Sequence, residues 1–388
     1  MDYKLTTALD RQQFYDLYLY AFNKTDSKAR QDFFFYRYDH AITYGLKQNK
    51  QLISGLYALP LAVGLKNTTY TMHGIGDVMS APEYSGQGGA STLLRYALEK
   101  MNQTGVALSY LAPFSFEYYH HFGYEHVFDK VFYRLAASDL KHFYIPTKTN
   151  GQIKKGPLKP FIKTIAPLYQ ASFLTKTAGL LRSKTWWHYL TLKNNWDVAV
   201  FYDKTNTAYG YLIYERAGMT LTIKELIYQT PQAKDALTNF IVKHQNSFEN
   251  IIYEAPNSEY LGLFTANPAL FEAKIVPYMM ARIVNLESFL TKYPFRCDLE
   301  LDFTLKDPVL KTNCATWHLK ATKQNISLTK AKNSTLTLTI QQLSQIFLGA
   351  TKATKLYDLG LIKATNRETL AKLDKALVHE KPSLIDFF

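Results

Sequence analysis

Along the first 140 residues the apolar positions switch between helical and strand periods. Residues 10–21 and 29–35 space them helically, in aromatic stripes that read as core. Residues 51–62 and 70–79 read as strands, and 106–111 is a short apolar run. Between them lies Asp77-Val-Met-Ser-Ala-Pro-Glu-Tyr-Ser-Gly-Gln-Gly-Gly-Ala-Ser-Thr-Leu-Leu94. This stretch opens as a strand at Val78 and Met79, passes Pro82, and bends through Gly86, Gly88 and Gly89. It then becomes a helix to about Met101, with Leu93, Leu94, Ala97 and Leu98 on one face. Strand, glycine loop, helix, strand and short helix, in that order, build an open α/β sheet with its ligand at the carboxyl ends of the strands.

The middle third repeats this order. Residues 161–181 and 186–192 read as helices, 198–202, 209–216 and 221–228 as strands, 235–244 as a helix and 251–254 as a strand. Its strand-to-helix turn, Tyr228-Gln-Thr-Pro-Gln-Ala-Lys-Asp235, has no glycine, so its backbone carries Cβ atoms and does not fold closely round a phosphate. From residue 286 the rhythm changes. A helix over 286–293 precedes strands at 299–305, 315–321, 326–331 and 336–340, then helices at 341–348 and 367–378. That order predicts a small α+β domain. The last residues, Pro382-Ser-Leu-Ile-Asp-Phe-Phe388, are apolar where ends are usually polar and frayed. The expected division is 1–143, 144–285 and 286–388.

Composition narrows the class. The 388 residues are 47% hydrophobic and 15% aromatic, enough for packed cores. The longest apolar run, 56–65, is too short to span a bilayer, and the first residues lack the order of a signal peptide. A cytoplasmic protein is expected, with no membrane partner. Cys297 and Cys314 are too few for a disulfide framework or a zinc site and read as buried thiols. His120 and His121 read as exposed neighbours rather than metal ligands, and no metal is expected. The net charge of +13 comes from scattered lysines with no arginine-rich run. It reads as solvated surface that draws acidic ligands, and no nucleic-acid partner is expected.

Glycines at the mouth of a helix let backbone N–H groups approach an anion where the helix dipole is positive. No Gly-Lys-Ser/Thr and no Gly-x-Gly-x-x-Gly is present. Ser85-Gly-Gln-Gly88-Gly-Ala90 resembles instead the coenzyme A loop of the GNAT N-acetyltransferases, Arg/Gln-x-x-Gly-x-Gly/Ala. Ser85 replaces the usual Arg or Gln, and no Lys or Arg lies between Asp77 and Leu94. One charge-assisted bond fewer is worth about 1.5–3 kcal/mol, which weakens a site without abolishing it. About thirty residues on, Tyr118-Tyr119-His-His-Phe-Gly123-Tyr124 is similar to the Phe/Tyr-Tyr-x-x-x-Gly-Phe/Tyr run of the same enzymes.

With a second, glycine-free copy, a small sheet-and-helix domain and a Phe-Phe ending, the whole chain resembles the Eis (enhanced intracellular survival) acetyltransferases. The resemblance implies an α/β (α+β) fold: two tandem GNAT folds, the second without a coenzyme A loop, then a sterol-carrier-protein-like domain. It implies acetyl-CoA as co-substrate, a primary amine as acceptor (an aminoglycoside, a polyamine or a lysine), and a homohexamer. Val78, Met79 and Ser80 would meet the pantetheine amides. Ser85, Gly86, Gln87, Gly88, Gly89, Ala90 and Ser91 would form the pyrophosphate loop, with Phe114 and Ser115 lining the neighbouring strand end. Tyr119 would be the general acid, and the carboxylate of Phe388 the general base. Aromatic residues over 33–38 and Asp39 are expected to border the acceptor. Two other classes fit less well: a Fem-like aminoacyl transferase using charged tRNA, which would not need this loop, and a non-catalytic coenzyme A-binding protein.

Overall fold

The computed structural model describes residues 2–144, 150–256 and 261–388, apart from the side chains of 262 and 263. The chain forms two compact units, one of residues 1–128, 278–382 and 387–388, the other of 129–277 and 383–386. The first begins with helices α1 (Ala8–Ala21) and α2 (Lys28–Asp39), then strands β1 (Ile42–Gln48), β2 (Gln51–Leu65) and β3 (Thr68–Ser80). After a single 3₁₀ turn at Pro82–Tyr84 come α3 (Gly89–Gln103), β4 (Leu108–Leu111) and α4 (Phe116–His120). Strand β5 (Glu125–Ala136) carries the chain into the second unit.

That unit holds β6 (Gln152–Pro157), α5 (Leu158–Gln170), β7 (Thr177–Leu180), α6 (Lys184–Lys193), β8 (Asp197–Tyr202) and β9 (Ala208–Ala217). It continues with β10 (Thr220–Tyr228), α7 (Pro231–Val242) and β11 (Asn250–Ala255). Strand β12 (Glu272–Ile283) brings the chain back to the first unit. There α8 (Leu286–Leu290), β13 (Leu299–Lys306), β14 (Ala315–Ala321), β15 (Ile326–Lys330) and β16 (Leu336–Thr339) follow. Helices α9 (Ile340–Phe347), α10 (Ala353–Asp358) and α11 (Arg367–Ala376) complete it, with β17 (Lys363–Ala364) between the last two.

In the first unit the strands run β1-β2-β3-β4-β12, and β3 and β4 are the parallel pair. The second runs β5-β11-β10-β9-β8-β6, with β10 and β11 parallel. The outer strand of each array thus comes from a distant stretch of sequence, β12 beside β4 and β5 beside β11. The C-terminal sheet of the first unit runs β15-β14-β13-β16-β17.

The helical stripe of α3 behaves as its periodicity predicts. Leu93, Leu94, Ala97, Leu98 and Met101 are all buried, in one cluster with Leu56, Ala58 and Ile75 of the sheet. The long helix expected over 161–181 is shorter: α5 stops at Gln170, and 177–180 are extended. Ala178 adopts a left-handed φ of 65°, and a Cβ on Gly179 would lie 2.3 Å from the Leu174 carbonyl oxygen, neither of which suits a helix. The cysteines also differ from expectation. Cys297 is half-buried and Cys314 exposed, its Sγ held by the Asp307 backbone N–H at 3.2 Å rather than by a core. Among the described residues no helix is long and apolar enough to cross a membrane.

Candidate active site

The site forms where two parallel strands part. Strands β3 and β4 are paired from Met72–Leu108 to Ile75–Leu111 and no further. Just beyond, β3 carries an extra residue: Tyr57 of β2 faces Gly76 but Gly55 faces Met79, so Asp77 and Val78 share one position. Asp77 takes a left-handed φ of 46°, uncommon for a side-chain-bearing residue, and its carboxylate pairs with buried Arg37 of α2. This β-bulge turns the end of β3 away from β4. On one side Met79 and Ser80 remain registered with β2, where Ser80 Oγ lies 2.8 Å from Ser54 Oγ. On the other side, the pairing of β3 with β4 has ended at Ile75–Leu111. An amide-bearing chain added to that edge would complete the ladder.

The glycine turn follows directly. Helix α3 starts at Gly89 after Gly88, which takes φ 83° and gives no side-chain cap. The first N–H groups of the helix are therefore not satisfied by a capping side chain. A Cβ at Gly86 or Gly88 would meet nothing within 4 Å, so these backbones face open space. Gly89 is needed for a different reason, since its Cβ would lie 2.3 Å from Ser54 Oγ. Neighbouring loop residues also make contacts within the protein. Gln87 Nε2 turns back to the Glu83 carbonyl at 3.1 Å, Ser85 ends the 3₁₀ turn, and Ser91 Oγ is 3.1 Å from the Tyr118 hydroxyl.

Tyr119 stands on a short helix that Ser115 caps by accepting from Tyr118 N at 3.2 Å. The Ser115 hydroxyl is thereby used in folding α4. Phe114, largely exposed, meets the Tyr119 ring edge-on at 5.2 Å, while Tyr118 and Tyr124 close the other sides at 5.1 and 6.2 Å. Burial pushes the Tyr119 hydroxyl well above the usual tyrosine value, so it keeps its proton. Beneath it, Tyr124 hydroxyl and Ser109 Oγ are 2.7 Å apart, and Ser109 donates to the His73 carbonyl at 3.0 Å. Gly123 sits at φ 82° because a Cβ there would strike Arg282 Nη1 at 2.7 Å. Arg282 of β12 is fully buried, donates to the Phe122 carbonyl, and pairs with Asp307 at 2.6 Å.

Phe388 is buried, and its ring lies against Gly74 of β3, the last strand position but one before β3 and β4 part. A Cβ at Gly74 would come within 2.5 Å of that ring. Asp386 is fixed separately in the second unit. Its carboxylate receives Trp186 Nε1 at 2.6 Å and Arg182 Nε at 2.9 Å, and Arg182 also pairs with Glu225.

The sequence reading had not assigned a role to Arg37, Asp77, Arg282 or Asp307, because each matters only through a partner far away in the chain. A lone buried arginine inside an apolar strand was the available signal for Arg282. Two of the residues expected to border the acceptor are engaged within the protein. Phe34 is core, packed with Phe14, Tyr15 and Tyr18, and Asp39 is a surface carboxylate bound by Arg11 Nε at 2.8 Å. Among the described residues no group of three or more His, Cys, Asp or Glu is placed to hold a metal ion.

In the second unit the same parting recurs. Strands β10 and β11 are paired only to Ile223–Tyr253, and β10 is bulged at Lys224. Here the helix mouth is closed. Pro231 stands at the start of α7, and Thr230 caps it by accepting from Ala233 N at 3.1 Å. Proline brings no N–H, and the cap satisfies another donor.

A parted parallel pair and a bulged strand thus occur twice in the chain, once before an uncapped glycine-led helix and once before a capped, proline-led one. Sequence comparison agrees with the geometry. Residues 2–127 and 178–283 each match an acetyltransferase (GNAT) domain family, and 286–385 match a sterol carrier protein domain family. The whole chain is 31% identical to a solved Enterococcus faecalis V583 protein of unknown function described as a probable N-acyltransferase, with a TM-score of 0.93 over 100% of this chain and 99% of that one. A GCN5-related N-acetyltransferase from Anabaena variabilis (22% identity, TM-score 0.87, 100% of both chains) shares the fold. So does Eis1 from Mycobacterium abscessus (16%, TM-score 0.81, 100% of this chain and 99% of that one). No curated protein matches the sequence. The chain belongs to the GNAT acetyltransferases, as a tandem-domain enzyme ending in a sterol-carrier-like domain.

Proposed function

We propose that the protein transfers the acetyl group of acetyl-CoA to a primary amine, and that it is an Eis-type member of the family. The observation that carries this is the parting of β3 from β4 after Ile75, followed by the uncapped, glycine-led mouth of α3. The pantetheine amides would bond residues 78–80, and the pyrophosphate would lie on the backbone of residues 86–91. One N–H of the bulge would polarise the acetyl carbonyl as charge develops on its oxygen. Of the three proposed domains, 1–143, 144–285 and 286–388, the first would hold the cofactor.

A primary amine arrives protonated, with a pKa near about 10. The carboxylate of Phe388 takes that proton directly or through water, the free amine attacks, and the tetrahedral intermediate collapses to amide and thiolate. Tyr119 serves the departing sulfur. Because a thiolate, with a reference pKa of about 8.5, is a weaker base than a buried tyrosinate, Tyr119 donates a hydrogen bond to it and passes its proton on as general acid only as it takes up, directly or through water, the second proton that the attacking nitrogen sheds. The acceptor would be an aminoglycoside-like amine, a polyamine or a lysine, and the working form a cytoplasmic homohexamer. A panel of these amines with acetyl-CoA, read as free thiol, tests the reading. Turnover with at least one amine is expected, together with loss of turnover when residues are appended after Phe388. Coenzyme A release with no amine would refute the function, and full activity of the extended chain would remove the carboxylate from the mechanism.

A further inference from the structure

The second unit contains a cavity of about 670 Å³ that acetyl transfer does not use. It lies where β10 leaves β11. Residues 223–229 line it without a break, although in a paired strand successive side chains point to opposite faces. Only the open edge of a parted strand presents such a run. The cavity therefore occupies in the second copy the position that the open edge of β3 occupies in the first. What it has lost is the anion site: Pro231 and Thr230 close the helix mouth where the first copy has open glycines.

Its walls are largely apolar, among them Leu226, Ile227, Ile241, Ile251, Phe271 and Ile385. Most polar groups on the lining are already committed. Glu225 is bound by Arg182 and Tyr211, and Lys224 by Glu254 and Glu215. Two are not. Lys234, in the first turn of α7, has only its sequence neighbour Asp235 at 3.5 Å and the face of Phe264 at 4.9 Å. Ser172 Oγ is a buried hydroxyl with no hydrogen-bond partner among the described residues. A space of this size, apolar with one weakly paired cation and one unpartnered hydroxyl, is built for a small amphipathic ligand.

We infer that this cleft binds a linear carboxylate with a medium-length hydrocarbon chain, its chain among the apolar walls and its carboxylate on Lys234. The duplicated fold thus keeps the cleft of a coenzyme site while exchanging a phosphate-bearing ligand for a simpler acidic one.

Calorimetric titration of the full chain with octanoate, decanoate and dodecanoate, each below its micelle concentration, tests this. Affinity should rise roughly fourfold for each added methylene and stay unchanged when acetyl-CoA saturates the first unit. Thr238→Trp, which fills the cavity from α7, and Lys234→Glu, a substitution on a part-exposed side chain, should each weaken binding at least tenfold. The second variant keeps the test informative if the first does not fold. Both should release coenzyme A at the parental rate with any active amine, so failure of the acetyltransferase reading leaves these titrations interpretable. Binding that is absent, that acetyl-CoA displaces, or that both variants leave unchanged overturns the proposal.

Discussion

Tyr119 shows what one residue contributes and how. Its ring is held by Phe114, Tyr118 and Tyr124, and burial keeps its hydroxyl protonated. Tyr119→Phe retains the ring, and with it the packing, but removes the donor. Steady-state kinetics should show kcat falling at least tenfold with the KM for acetyl-CoA nearly unchanged, the signature of an interaction made in the transition state alone. Since the hydroxyl titrates well above its usual value, the parent's pH–rate profile should show no descending limb from this tyrosine below about pH 10. Equal turnover in the variant would exclude Tyr119. The motif Tyr118 to Tyr124 singled out this residue among 29 tyrosines. That Phe114, Tyr118 and Tyr124 pack around it could not be read that way, because ring contacts depend on how α4 folds.

At the scale of elements, α3 and α7 differ at their mouths, and the proposed pyrophosphate site rests on that difference. Both follow a bulged strand that has parted from its parallel neighbour. One begins with glycines in open space, the other with proline and a capping threonine. Gly88→Ala tests the first. A left-handed alanine costs about 1–2 kcal/mol, and the added methyl projects into the space where phosphate oxygens would lie. The KM for acetyl-CoA should rise about tenfold or more, while the melting temperature drops by only a few degrees. An unchanged KM would place the phosphates elsewhere. This difference was fully legible from composition, since a glycine-free turn is visible in the sequence. The truncated α5 and extended 177–180 were not. Local apolar spacing there suits a helix, whereas the left-handed Ala178 and a Gly179 packed against the Leu174 and distant Ser383 carbonyls hold 177–180 out of one.

At the scale of the whole molecule, the chain completes its first sheet with a strand it reaches only after the entire second repeat. Strand β12 lies beside β4 and brings Arg282 beneath α4, where it bonds the Phe122 carbonyl and Asp307. Arg282→Met removes the guanidinium but preserves volume, leaving the Asp307 carboxylate buried with Asn313 and backbone donors alone. Breaking a buried pair on one side costs about 3–5 kcal/mol. The urea midpoint should fall accordingly, and Asp307→Asn added to the variant should recover part of the loss. If the double variant is no better than the single, the charge pair is not what holds α4.

By itself the sequence determined the two α/β repeats, the sheet-and-helix domain after them and the glycine turn, because each is written in local periodicity or in residues a few positions apart. Tertiary structure alone decided the exchange of β5 and β12, the Arg37–Asp77 pair that steadies the bulge, the buried arginine under α4, and the seat of Phe388 on Gly74. These join residues from 25 to over 300 positions apart, and no short-range pattern of apolar and polar residues encodes which distant partner a buried charge or a terminal ring will find.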